Sequence, residues 1–250
     1  MFDVEKAVAF NKKYSGRYPH PNDPQDRGSV DFAVRVCTVQ KELGTWQDGK
    51  YGPTTHRLLI GQPEVYVRRE GQRLRMPNRL TYRISHDRSL ADVGHFSPNK
   101  NRKLKQLVWH WGGRDAEHLI AVMSGPRKVS THFAIGLVDG EAVVYQLLDL
   151  NHRAWHAGRH NRGSVGIDIC QQADPRWLGY YQQRGYIVEL ADNPGVGPGR
   201  ALTLDPRLMV ACRAFSADLM LVLGISKQMS HHQLSRRKWD ISPWWDDLTS

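Results

Sequence analysis

Cysteine is scarce: Cys37, Cys170 and Cys212 are the only three, far apart in 250 residues. They make neither a disulfide framework nor a cysteine-rich zinc site, which points to folding in a reducing compartment. No run approaches the roughly 18 apolar residues of a membrane span. The start, Met1-Phe2-Asp3-Val4-Glu5-Lys6, lacks a basic segment followed by a long apolar one, so no standard secretory signal is expected. Acid is also in deficit. Thirty-five Lys and Arg against 25 Asp and Glu leave +10, and the sequence pI is near 9.7. An apolar fraction of 40% is still that of a chain able to bury a core.

The surplus of positive charge is concentrated. Residues 67–105 hold eleven basic side chains against Glu70, Asp87 and Asp92, a balance of +8. Such a patch attracts polyanions, whether nucleic acid, anionic lipid or an anionic wall polymer, unless it is only a solvated basic connector.

Three zones follow. Residues 1–62 open with a turn-rich lead, Tyr18-Pro19-His20-Pro21-Asn22-Asp23-Pro24, before a helical pattern of Val36, Val39, Gln40 and Leu43 that ends at Gly44. Asp48-Gly49-Lys50-Tyr51-Gly52-Pro53 makes a tight turn that releases a further helix near Thr54. Residues 63–103 are the basic connector, interrupted by Pro63, Pro77 and Pro98. Residues 104–250 alternate strands and helices, as in an α/β or α+β domain. Leu107–Trp111, Ala142–Leu148 and Val165–Ile169 are strand-like, Asp115 precedes a helix, and Asp205-Pro206 caps the last long helix. The Gly- and Pro-rich stretch 171–203 reads as a long loop.

Twelve histidines are many, and their placement matters more than their number. Near the C-terminus the chain reads His231-His232-Gln233-Leu234-Ser235-Arg236-Arg237-Lys238-Trp239-Asp240. A catalytic zinc site takes three protein ligands and leaves a fourth position for water. A loop can bring His232 and Asp240 to one ion, and His110, in a strand between Trp109 and Trp111, is the best third ligand. The tandem pair leaves His231 as an alternative to His232; adjacent residues of an extended chain point opposite ways, so one of them binds. His152, His156 and His160 stand four apart, but Arg153 and Gly158 spoil a helical metal motif there.

Two family resemblances follow from these residues. Gln40-Lys41-Glu42-Leu43-Gly44 with Asp48-Gly49-Lys50-Tyr51-Gly52-Pro53-Thr54-Thr55 resembles the small three-helix peptidoglycan-binding module of cell-wall hydrolases. His110, then Ser130-Thr131-His132-Phe133, Ala154-Trp155-His156-Ala157-Gly158, Ser164-Val165-Gly166-Ile167-Asp168-Ile169 and His232 through Asp240 resemble, in order, the zinc-dependent N-acetylmuramoyl-L-alanine amidases of the phage-lysin and peptidoglycan-recognition type.

That second resemblance implies a central mixed β-sheet flanked by helices, preceded by the small all-α module. It implies zinc as cofactor on His110, His232 and Asp240, with the offset of His232 to Lys238 and Asp240 favouring it over His231. Asp168 stands where relatives commonly have Glu and is the implied base; Lys238 is the implied partner of the oxyanion; His132 and His156 line the groove. Thr131 stands where some relatives have Tyr and cannot act as one. After Asp240 the usual Pro-Gly-Pro is replaced by Ile241-Ser242-Pro243. Trp155 either stacks on sugar rings or belongs to the core.

The resemblance thus implies a monomeric peptidoglycan hydrolase that cleaves muramoyl from L-alanine, concentrated on anionic wall polymers or lipopolysaccharide by its basic surface. It is made in the cytoplasm without a signal and reaches the wall at phage lysis or through a dedicated secretion machine. A non-catalytic peptidoglycan sensor and a nucleic-acid binder are the rival classes; the latter has no recognisable fold here.

Overall fold

The computed structural model describes residues 3–15, 27–42, 44, 46–60, 65–77, 81–98, 102–193, 197–235 and 237–249. The turn-rich lead at 18–24 and Leu43 lie outside them. The chain divides into two compact units, Met1–Val65 with Pro77–Leu80, and Tyr66–Met76 with Thr81–Ser250.

Among the described residues, the first unit contains three helices, α1 (Val4–Lys13), α2 (Val30–Glu42) and α3 (Pro53–Ile60). The N-terminal segment ahead of the helical pattern contributes α1, started by Asp3, whose carboxylate accepts the Lys6 N–H. Phe32, Val36, Val39 and Tyr51 form the apolar centre. Two buried amides tie the Asp-Gly turn to it. Gln40 accepts the Gly49 N–H at 2.8 Å and donates to Asp48 at 2.8 Å. Asn11 donates to the Gly49 carbonyl at 2.9 Å and accepts the Tyr51 N–H at 2.6 Å. Gly49, at φ 67°, supplies the left-handed residue this turn needs.

The second unit comprises strands β1 (Tyr66–Arg69), β2 (Gln72–Arg75), β3 (Arg83–Ser85), β4 (Phe96–Ser97), β5 (Gln106–Trp111), β6 (Phe133–Val138), β7 (Glu141–Gln146), β8 (Arg153–Ala154), β9 (Ser164–Ile169), β10 (Leu190–Asp192), β11 (Arg200–Leu202) and β12 (Gln228–Ser230). Its helices are α4 (Ala116–Ser124), α5 (Leu178–Gln183), α6 (Pro206–Leu223), α7 (His231–Leu234) and α8 (Trp245–Thr249). A six-stranded sheet runs β12-β5-β9-β6-β7-β3, antiparallel only between β6 and β7. It is the mixed sheet flanked by helices that the sequence leads one to expect.

Alternation along β6 assigns the helices to opposite faces, because successive side chains point to opposite sides. Phe133 packs against Phe215 of α6, ring centroids 4.9 Å apart. Its neighbour Ala134 joins Ala116, Leu119 and Met123 of α4 in one apolar cluster. Gly136 lets α4 approach closely, since a Cβ there would lie 3.2 Å from the Ala116 Cβ.

Two expectations need correction. The basic segment is not a free connector: β1 and β2 form a hairpin, β3 is an edge strand of the main sheet, and Val67, Met76 and Tyr82 are buried. Its arginines hide the strand pattern because they occupy the solvent side of two-sided strands. Arg102 goes further and is buried, donating to the carbonyls of Leu150, Asn161, Ser164 and His152. Burial, reinforced by Arg153 and Arg69, pushes its pKa down to about 10. Likewise residues 171–203 are not one loop. They contain α5, preceded by an Asp174-Pro175 cap, and the β10–β11 hairpin, with Tyr181 fully buried.

Candidate metal centre

Sheet register does the first half of the assembly. Across the parallel strands, His110 of β5 pairs with Asp168 of β9, and Asp168 pairs with Ala134 of β6. These three therefore share a face, the one covered by α4. Ser230, the last residue of β12, is level with Trp109; His231 follows it level with His110. The row lies at the carboxyl ends of β5, β9 and β12, where open α/β sheets usually carry their ligands.

A helix start does the second half. Ser230 accepts the Gln233 N–H while the Gln233 side chain accepts the Ser230 N–H, a reciprocal capping box. The chain then turns, and His231 and His232 diverge by about 100° rather than alternating as in a strand. His231 Nδ1 lies 3.0 Å from His110 Nδ1 and 3.0 Å from Asp240 Oδ2, and His110 Nδ1 lies 3.5 Å from the same oxygen. His232 turns away and donates from Nδ1 to the Lys238 carbonyl at 2.6 Å. The structure thus replaces the expected His232 by His231 in the cluster. The Ser230-x-x-Gln233 signature was the sequence signal for that helix start.

The donor set fits a divalent cation. Tetrahedral zinc with bonds of roughly 2.0–2.1 Å has ligand–ligand edges of about 3.3 Å. The three atoms here form a triangle of 3.0, 3.0 and 3.5 Å. Two imidazoles and one carboxylate within that triangle are three acceptors in search of a positive centre. Burial pushes the Asp240 carboxyl up, but the neighbouring His110 and His231 rings outweigh it and hold the group below the usual carboxylate range.

Asp168 is 5% exposed. Burial raises its pKa, against the opposing influence of His110 and a hydrogen bond from Thr131. Gly112 leaves it room, since a Cβ there would sit 2.4 Å from Asp168 Oδ1.

The other expected residues fall in three places. Lys238 is exposed. His132 does not line a groove: it is fully buried, its Nδ1 accepts the Gly166 N–H at 2.9 Å, and Arg102 lies 2.8 Å from its Nε2. Burial and that guanidinium push its pKa down to about 3. His156 stands behind His110, with Nδ1 2.9 Å from His110 Nε2, where burial first and then His110 keep it neutral. Trp155, half-buried, donates from Nε1 to Ser97 at 3.1 Å and lines a cavity of about 410 Å³ with Arg153, Gly158, Arg159, Asn161 and Arg162.

Comparison with known proteins gives a family for most of the second unit. A family model described as N-acetylmuramoyl-L-alanine amidase matches residues 100–243, more than half of the chain. The N-acetylmuramoyl-L-alanine amidase XlyA of Bacillus subtilis (strain 168) is 36% identical over 67 residues, 25% of this chain. The match spans 21% of that relative's length. Among solved structures, the amidase AmiD from E. coli, in complex with anhydro-N-acetylmuramic acid-L-Ala-D-gamma-Glu-L-Lys, is 21% identical with a TM-score of 0.43, covering 74% of this chain and 64% of that one. The endolysin amidase LysCS from Clostridium intestinale URNW is 18% identical with a TM-score of 0.43, covering 70% and 95%.

Proposed function

The chain belongs to the N-acetylmuramoyl-L-alanine amidase family, and from that membership we propose that it hydrolyses the amide between N-acetylmuramic acid and L-alanine in peptidoglycan, with zinc held by His110, His231 and Asp240. The observation that carries this reading is the triangle of two imidazole nitrogens and one carboxylate oxygen, with His110 and Asp240 buried and His231 half-buried, beside a second buried carboxylate. Zinc there supplies Lewis acidity, lowering the pKa of a water toward about 7 and polarising an amide carbonyl.

The chain's own residues do the rest. Asp168 takes the proton of the attacking water and returns it to the departing alanine nitrogen. Its raised pKa suits both proton transfers, because the carboxylate is a stronger base than an exposed one, yet gives the proton back to an amine. Thr131 orients it. Lys238 brings its ammonium to the negative oxygen of the tetrahedral state. The Trp155 face and the three arginines of the cavity that it lines suit a substrate that joins sugar rings to acidic peptide.

The helical unit holds the enzyme on peptidoglycan, and the basic surface draws it to anionic wall polymers. No described helix is long and apolar enough to cross a membrane; the place of action is the cell wall. The test is mass analysis of purified wall material after digestion. Free N-terminal alanine is the expected product. New reducing sugar ends would make the protein a glycosidase, and intact wall with bound protein would make it a recognition protein.

A further inference from the structure

We infer that Ser164 and His156 fix the tautomer of His110 and so act as positioning residues for the metal centre. The inference rests on the amidase reading only for the identity of the metal.

A neutral imidazole carries one N–H and one lone pair, and the bond made by one nitrogen decides what the other presents. The relay starts at the His160 carbonyl, which can only accept. Ser164 Oγ lies 2.8 Å from it, so the single hydroxyl proton points there. The hydroxyl oxygen then offers a lone pair to His156 Nε2, 3.1 Å away, and that nitrogen must carry the proton. His156 Nδ1 is left as an acceptor 2.9 Å from His110 Nε2, which donates to it. His110 Nδ1 therefore keeps its lone pair, aimed at His231 and Asp240. Running the relay the other way would set two oxygen lone-pair systems against each other at 2.8 Å and place an N–H where a cation needs a donor atom.

The surroundings hold the relay in position. A Cβ on Gly166 would lie 2.8 Å and 2.9 Å from His156 Cγ and Nδ1, so glycine is what admits the ring. The Asn161 side chain accepts the N–H groups of His156 at 3.1 Å and Ala157 at 2.6 Å, pinning the backbone on either side of that ring. Ser164 is fully buried, leaving water no access to replace its hydroxyl.

The experiment is long-range ¹H–¹⁵N spectroscopy of histidine-labelled, metal-free protein, paired with zinc affinity by chelator competition. Wild-type His110 and His156 should both appear as the Nε2–H tautomer. Ser164→Thr keeps the hydroxyl and should keep both tautomers. Ser164→Val has the same shape without it and should mix them and weaken zinc binding on the order of 10- to 100-fold. Ser164→Ala removes only the oxygen, so it gives the same answer should the two larger residues not fit. A wild-type His110 protonated on Nδ1, or Ser164→Ala with unchanged tautomers and zinc affinity, would overturn the inference. Failure of wall digestion would count against the amidase reading and leave these spectra untouched.

Discussion

Two of the four residues gathered at the centre are placed by strands and two by turns. His110 and Asp168 sit in a ladder of six paired residues, and a one-residue slip would flip the whole strand to the wrong face. His231 and Asp240 depend on a four-residue helix with a capping box and on a bend at Ile241. Ile241 has φ 69°, a conformation that costs a β-branched residue roughly 1–2 kcal/mol, and it is fully buried. Strand placement is over-determined by many residues; turn placement hangs on a few, each of which matters more.

Substitutions can break or sharpen this contrast. The largest effect is expected from Asp240→Ala, which should abolish zinc binding and hydrolysis together, as measured by metal analysis and muropeptide release. Asp168→Asn keeps the ladder and the three ligands, so it should retain zinc and lose turnover; an active variant would remove Asp168 from the chemistry. Lys238→Ala should lower kcat on the order of 100-fold with the metal still bound, if its ammonium stabilises the oxyanion. The smallest effect belongs to the turn. Ser230→Ala removes half of the capping box and should cost about 1 kcal/mol in denaturant unfolding. It should loosen His231 and weaken zinc binding while leaving His110 in register.

The same contrast explains what was legible in the sequence. Strand β5, strand β9 and the caps Asp115 and Asp205 were readable because alternation and capping are local signals, and the motifs around His110 and Asp168 came with them. Two things were hidden. The arginine-rich segment 66–97 conceals sheet strands because its charges lie on outer faces while Val67 and Tyr82 carry the burial. The choice between His231 and His232 turns on the register of β12 against β5, in which Ser230 pairs with Trp109 and His231 follows level with His110; a pairing between strands more than 110 residues apart leaves no local signal. His132 and His156 stand out as histidines near a groove; their work is internal, one holding the Gly166 backbone and the other backing His110.

Zinc stoichiometry of purified wild type, His231→Ala and His232→Ala, measured side by side by elemental analysis, tests the central claim most directly. One zinc per chain is expected in wild type and in His232→Ala, and none in His231→Ala. Metal retained without His231 and lost without His232, or absent from the wild type after incubation with zinc, would contradict a centre built from His110, His231 and Asp240.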